Sequence, residues 1–284
     1  TSLALATQEK NTNIVMGLYN TIIISDINYL EDEYINIYEK FSAWVCLAPR
    51  GEAKFRSSIA FKETLFNDIE QPLRLNENKI YSGTEYMVTR QEYNIVRQKL
   101  SAGEIIKDPK KIIISMGGVD QSDLTSLVAR HLSDFDLDWK IEIIVGPLYD
   151  NYEGLLGQVR DYRSNMSIVV NPDNIYSNIA TSTIGIYAAG LISYESIGLG
   201  TPCININLSE FHNKRSKELE TLGVSVNLGD MSSLLASRIK DTINDLSNDT
   251  VRLRRIWEVY ESTGKKFSEW KLNKNKKFIK NFDF

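Results

Sequence analysis

Between residue 111 and about residue 246 one pattern recurs six times: a short apolar run, a break at Gly, Pro or Asn, then a stretch of helical period. KIIIS (111–115) leads to a helix around Leu124 to His131, IEIIVGP (141–147) to YEGLLGQVRDYR, and SIVVN (167–171) to a short helix near Ile175 to Ile179. TIGIYAA (183–189) leads to a helix through Tyr194 to Leu199, CININ (203–207) to one from about Lys214 to Leu222, and VSVNL to one from Ser232 to about Leu246. Short apolar runs separated by helical periods belong to strands buried on both faces, and helices that cover both faces require a parallel sheet. The pattern specifies a Rossmann-like α/β domain.

The first part of the chain gives fewer such units: TIIISDI (21–27), a helix from about Glu31 to Phe41, and AWVCLA (43–48). That is two strands, where a self-sufficient doubly wound domain needs about five or six, so the N-terminal domain is expected to be incomplete. Ser101-Ala102-Gly103 and Lys107-Asp108-Pro109 punctuate a segment that reads as a connection. The expected division is an N-terminal domain over 1–95, a linker over 96–110, a second domain over 111–250 and a helical tail over 251–284.

Composition excludes several partners. A formal net charge of -4, with both signs interspersed along 284 residues, offers nucleic acid no basic footprint. No apolar run reaches the roughly 18 to 20 residues that span a bilayer, and TSLALATQEK lacks the basic start and apolar core of a signal peptide. The expected location is cytoplasmic. Cys46 and Cys203 lie in separate apolar segments and read as buried free thiols, and with His131 and His212 isolated no metal-ligand cluster is visible. Neither metal nor cofactor is expected. The tail, KKFSEWKLNKNKKFIKNFDF, mixes lysines with Phe267, Trp270, Phe278, Phe282 and Phe284. It reads either as a terminal helix packed on the body with its lysines in water, or as a weak peripheral contact with an anionic membrane.

Ligands of open parallel sheets bind outside the carboxyl ends of the strands. The loops there are Met116-Gly117-Gly118-Val119-Asp120, Gly146-Pro147, and Ala188-Ala189-Gly190 followed by Ser193-Tyr194-Glu195. Glycine at such a place lets the main chain approach a phosphate at the start of the next helix. The alternative for Gly117-Gly118 is a plain strand-to-helix turn, with Ser122 or Asp123 capping the helix and Asp120 bracing the loop.

The ordered set ISMGGVDQSDLT, IIVGP and VVNPDNIYSNIATSTIGIYAAGLISYESIGLGTPCININLS resembles the C-terminal half of the PseG-like nucleotide-sugar hydrolases of the pseudaminic acid pathway and of their spore-coat and MurG-like relatives of the GT-B fold. Upstream, SGTEYMVTRQEY resembles that family's Gly-x-x-Tyr-(apolar)₂-x-Arg-x-Glu-aromatic segment at Gly83, Tyr86, Arg90, Glu92 and Tyr93. TSLALATQEK resembles the first helix after the family's Gly-x-Gly-His loop, and Asp26 stands where the family has an aspartate ending an N-domain strand.

The resemblance implies a GT-B-like chain of two Rossmann-like domains that binds a UDP-sugar. It places the diphosphate at the Ala189-Gly190 turn and ribose hydroxyls on Glu195. The implied binding set is Gly117, Gly118, Ala189, Gly190, Ser193, Tyr194, Glu195, His212 and Asn213. Tyr194 reads either as stacking on the ligand or as packing, and His212 either as a ligand contact or as a surface-loop residue. The family's histidine loop would lie ahead of the first residue here, so no catalytic histidine is carried over, and Asp26, with Asn28 and Tyr29 beside it, is the remaining catalytic candidate. The expected activity is release of UDP by water attack at the anomeric carbon, in a chain that is catalytically incomplete as it stands. The alternatives are a GT-B glycosyltransferase and a non-catalytic nucleotide-sugar-binding domain.

Overall fold

The computed structural model describes residues 4–5, 22–26, 30–41, 43–47, 53–62, 79–133, 138–161, 165–234, 236–248 and 256. They fall into two units, a first up to Val88 and a second from Thr89 onward.

The first unit holds a parallel sheet of β1 (Ala4–Leu5), β2 (Ile22–Ser25), β3 (Ala43–Leu47), β4 (Ile59–Lys62) and β5 (Lys79–Ser82), ordered 1-2-3-4-5. Helix α1 (Asp32–Tyr38) joins β2 to β3, and the single turn α2 (Ala53–Arg56) precedes β4. Ile23, Ile35, Tyr38, Trp44 and Cys46 form one core cluster, in which the Trp44 ring meets Tyr38 edge-on at 5.4 Å and donates its Nε1–H to Ser25 Oγ at 2.8 Å. Five strands replace the two expected. Ala4–Leu5 is strand, paired with Ile23 and Ile24, where a first helix was expected. β4 and β5 were missed because IAFK and KIYS are four residues long, each carries a lysine, and neither is followed by a strong helical period.

The second unit opens with α3 (Gln91–Ser101), so the stretch from 96 expected as linker is helix through Ser101. Then follow β6 (Lys111–Ser115), α4 (Leu124–Leu132), β7 (Lys140–Val145), α5 (Tyr152–Asp161), β8 (Met166–Val170) and α6 (Ile175–Ala180). The remainder is β9 (Ile184–Tyr187), α7 (Leu191–Ile197), β10 (Cys203–Asn207), α8 (Glu210–Thr221), β11 (Ser225–Asp230) and α9 (Ala236–Asn248). All pairings are parallel, in the order 11-10-9-6-7-8. Ile112, Ile114, Ile141, Ile143, Ile184, Ile186, Ile204 and Ile206 point to one face and pack against Leu124, Val128 and Leu132 of α4, Leu155 of α5, and Ile239, Ile243 and Leu246 of α9. The period of two in the strands meets the helical period in the helices.

The segment after α3 is anchored by Lys107. Its Nζ donates to Ala180 O at 3.2 Å, Ser182 O at 3.0 Å and Thr201 Oγ1 at 2.5 Å. The stem reaches the surface while the ammonium is buried, and burial pushes its pKa down to about 7. The folded chain therefore gives up a proton that the unfolded chain keeps up to the ordinary lysine range. The stabilising effect is complete above that range and is lost as pH falls to about 7. Urea unfolding between pH 7.5 and 9.5 should show stability rising with pH. Lys107→Met should flatten that rise and cost about 1–3 kcal/mol, because buried acceptors lose their donor.

Candidate functional site

In the second unit the strand order runs 6-7-8 on one side of β6 and 9-10-11 on the other. The point of reversal, between β6 and β9, is where open α/β sheets leave a crevice beyond the strand ends. Two loops flank it: Met116 to Asp123 after β6, and Ala188 to Gly190 after β9.

The first loop is braced from inside. Gly117 has φ +97, a conformation that costs glycine nothing and an L side chain much. The Asp120 carboxylate accepts from the backbone N–H of Leu124 at 3.1 Å and Thr125 at 2.8 Å, so Asp120 caps α4, whereas Asp123, at the N-cap position, makes no capping bond. Asp123 instead accepts from Tyr149 Oη at 2.5 Å and Asn151 Nδ2 at 2.8 Å. Burial opposes its ionisation, but hydrogen bonds from Tyr149, Ser126 and Asn151 hold its pKa below the usual carboxylate value. The loop after β7 closes against the same place: a Cβ on Gly146 would stand 2.3 Å from Gly118 O. Glycine is required at 146 by backbone contact.

Gly118 and Gly190 are different. Neither has positive φ, and a Cβ on either would meet nothing within 4 Å. Within this unit, neither packing nor backbone geometry demands glycine there, and glycine costs extra chain entropy. Both positions leave space open at the strand ends. Ala189, just before Gly190 at the turn into α7, is fully buried with φ +51, a strained setting for a side chain that fixes the turn into the helix.

Helix α7 starts three residues earlier than the sequence pattern suggests, which puts Ser193 and Tyr194 inside it with 0% and 1% exposure. Ser193 Oγ donates to Asn205 Oδ1 at 2.8 Å, and Tyr194 lies under the Arg215 guanidinium, 5.6 Å from its ring centre. Their side chains serve packing. Glu195 is half-buried and accepts from Tyr176 Oη at 2.8 Å. Burial raises its pKa, opposed by that hydrogen bond and by the charge of Arg90.

His212 and Asn213 sit in the first turn of α8, not on the loop expected there, because Ser209 caps the helix by accepting from His212 N–H. Asn213 Oδ1 receives Nδ2 of Asn207 at 3.4 Å and Nδ2 of Asn227 at 3.5 Å, and Ser216 Oγ donates to Asn207 Oδ1 at 2.6 Å. This amide cluster at the ends of β10 and β11 was missed by the sequence reading. The signal was there: asparagine at every second position of CININ puts polar groups on one face of a buried strand. Asp26 lies just past the end of β2 and is exposed, in the first unit. Asn28, Tyr29 and, apart from Ile256, the tail lie outside the described residues. Burial, helped by Arg130 and Lys240, holds His131 below the usual histidine value. Among the described residues no group of acidic, histidine or cysteine side chains is placed to hold a metal, and no helix is long and apolar enough to cross a membrane.

Solved structures of the same architecture include the glycotransferase of kitacinnamycin, with TM-score 0.57 and 14% identity over 90% of this chain and 70% of that one. MurG of Acinetobacter baumannii matches with TM-score 0.56 and 12% identity over 85% of this chain and 68% of that one. The chain has the GT-B fold. No family model matches it. Among curated proteins it is similar to the uncharacterized protein MJ1062 of Methanocaldococcus jannaschii, 24% identical over 70% of this chain and 43% of that protein. It is also similar to the spore coat polysaccharide biosynthesis protein SpsG of Bacillus subtilis, 21% identical over 63% of this chain and 53% of that protein. The chain thus spans about half the length of these relatives.

The two kinds of glycine separate by stability. Gly146→Ala should destabilise by about 1–3 kcal/mol through overpacking against Gly118. Gly118→Ala should leave the chain as stable or up to about 1 kcal/mol more so. Thermal or urea melts of the two variants check both.

Proposed function

We propose that the chain is a GT-B glycosyltransferase that takes a UDP-sugar donor at the β6–β9 reversal of its second unit. The observation that carries this reading is the pair Gly118 and Gly190: side-chain space left open at the strand ends with no demand from the fold. The glycotransferase of kitacinnamycin and MurG share the fold, which supports a donor site here. In this reading the backbone at Ala189-Gly190 and the start of α7 takes the diphosphate, where free amides favour negative charge. Glu195 takes the ribose hydroxyls, and His212 and Asn213 lie near the donor sugar. An acceptor hydroxyl attacks the anomeric carbon, the bond from that carbon to the diphosphate oxygen breaks, and UDP leaves with the electron pair. The proton of the acceptor passes to a general base. The thiol of Cys46 is no rival nucleophile, since burial pushes it up to about 11.

A second reading keeps the donor and replaces the acceptor with water. It is favoured by the segment from Gly83 to Tyr93, whose order resembles the PseG-like hydrolases. Incubation with UDP-linked amino sugars, with and without candidate acceptor alcohols, separates the readings by released UDP. Acceptor-dependent release is expected. Release in water alone would favour the hydrolase, and tight binding without turnover a non-catalytic binding domain. Isothermal titration should show UDP binding better than AMP or NAD, and Glu195→Ala should weaken UDP by about 1.5–3 kcal/mol. Equal or better NAD binding would count against the GT-B donor site.

A further inference from the structure

The residue that touches Glu195 comes from an element that none of the strand-end motifs contains. Tyr176 stands in the first turn of α6, and its hydroxyl donates to Glu195 Oε1 at 2.8 Å. Among the described residues this is the hydrogen bond that Glu195 makes. Tyr176 is itself fixed: it is 5% exposed, and its ring meets Tyr93 of α3 edge-on, with centroids 5.5 Å apart and planes at 87°. Asn174 caps α6 by accepting from Tyr176 N–H at 3.1 Å, so backbone and ring are both held. A phenol locked on two sides leaves its hydroxyl one direction to point, and that direction is Glu195.

We infer that Tyr176 is a positioning residue: it fixes the carboxylate of Glu195 so that Oε2 is presented to the paired hydroxyls of a ribose, which makes the site select ribonucleotides over 2′-deoxyribonucleotides. This rests on the reading of the second unit as a UDP-sugar site. Without the tyrosine, a glutamate in the first turns of a short helix samples several rotamers, and a two-point contact with a diol needs one of them. The hydrogen bond also favours the ionised form, the form that accepts from both hydroxyls, against a burial that disfavours it. The other charged or titratable groups around the pair are Arg90 at the start of α3, which supports the ionised glutamate, Glu92 of α3, which acts on Tyr176, and Tyr187 of β9, on which Glu195 acts. None of these is hydrogen-bonded to Glu195 in its place.

Tyr176→Phe keeps the ring that packs on Tyr93 and removes only the hydroxyl, so the fold is retained. The experiment compares the full chain with its Y176F and E195Q variants by calorimetric titration with UDP and 2′-deoxy-UDP across pH 5 to 8. In parallel, the Glu195 carboxyl is titrated by carbon NMR, its signal assigned by its loss in E195Q. Y176F should lower the preference for UDP over 2′-deoxy-UDP about tenfold, the size of a charge-assisted contact. It should also raise the pH at which Glu195 titrates and move the pH dependence of UDP binding upward with it. A merely structural tyrosine would shift the melting temperature and leave selectivity and titration where they were. If wild type binds UDP, E195Q weakens it, and Y176F changes neither selectivity nor the Glu195 titration, the positioning role is overturned while the donor site stands. If wild type binds no UDP, the donor site fails and this inference falls with it.

Discussion

β6 is hydrogen-bonded on both sides, to β7 through residues 111–115 and to β9 through residues 112–115, and the second unit depends on that double pairing. Successive parallel strands are joined by right-handed crossovers, so a chain that builds outward in one direction and then the other must place its helices on opposite faces. Helices α4, α5 and α9 cover one face, and the contacts of Ser193 with Asn205 and of Ser216 with Asn207 place α7 and α8 on the other. The loops after β6 and β9 therefore part company as they leave the sheet. The gap is a result of topology. What the sequence adds is the choice of residues that keep it open or brace its sides.

The two faces differ in chemistry. The face under α4, α5 and α9 is isoleucine and leucine, and each such side chain fully buried contributes roughly 1.5–3 kcal/mol. The face under α7 and α8 carries Tyr187, Asn205 and Asn207, with Tyr187 Oη bonded to Ser196 Oγ at 3.1 Å and Ser196 Oγ donating to Thr201 O at 3.0 Å. Buried polar groups gain little in net stability but lose much when mispaired, so such a layer specifies one register of helix on sheet. That register sets where Glu195 lies.

Legibility in the sequence followed burial. The six strands of the second unit were readable because each is a short run rich in apolar residues between Gly, Pro or Asn breaks, and the strand ends led straight to Gly117, Gly118, Ala189 and Gly190. The first unit was less readable, since its strands are two to five residues long and β4 ends in a buried lysine, Lys62. The start of α8 was misplaced because its cap was not recognised: the helix begins at Glu210, where the Ser209 hydroxyl accepts from His212 N–H, which turned an expected loop around His212 and Asn213 into helix. Partners distant in sequence stayed hidden. Nothing local announces that Tyr176 bonds Glu195, 19 positions away, or that Lys107 reaches Thr201, 94 positions away.

Lys107 and α3 bear on where the chain can be cut. Composition suggests dividing it in the polar stretch around Ser101 to Pro109, and a fragment begun there would look complete, with all six strands of the second sheet. It would lack Tyr93, the ring against which Tyr176 rests, and a fragment begun after Lys107 would also leave Ala180 O, Ser182 O and Thr201 Oγ1 without their shared donor. The second unit becomes self-contained only when excised ahead of Arg90, so the helix that resembles a tether by composition belongs, as a piece of architecture, to the body it precedes.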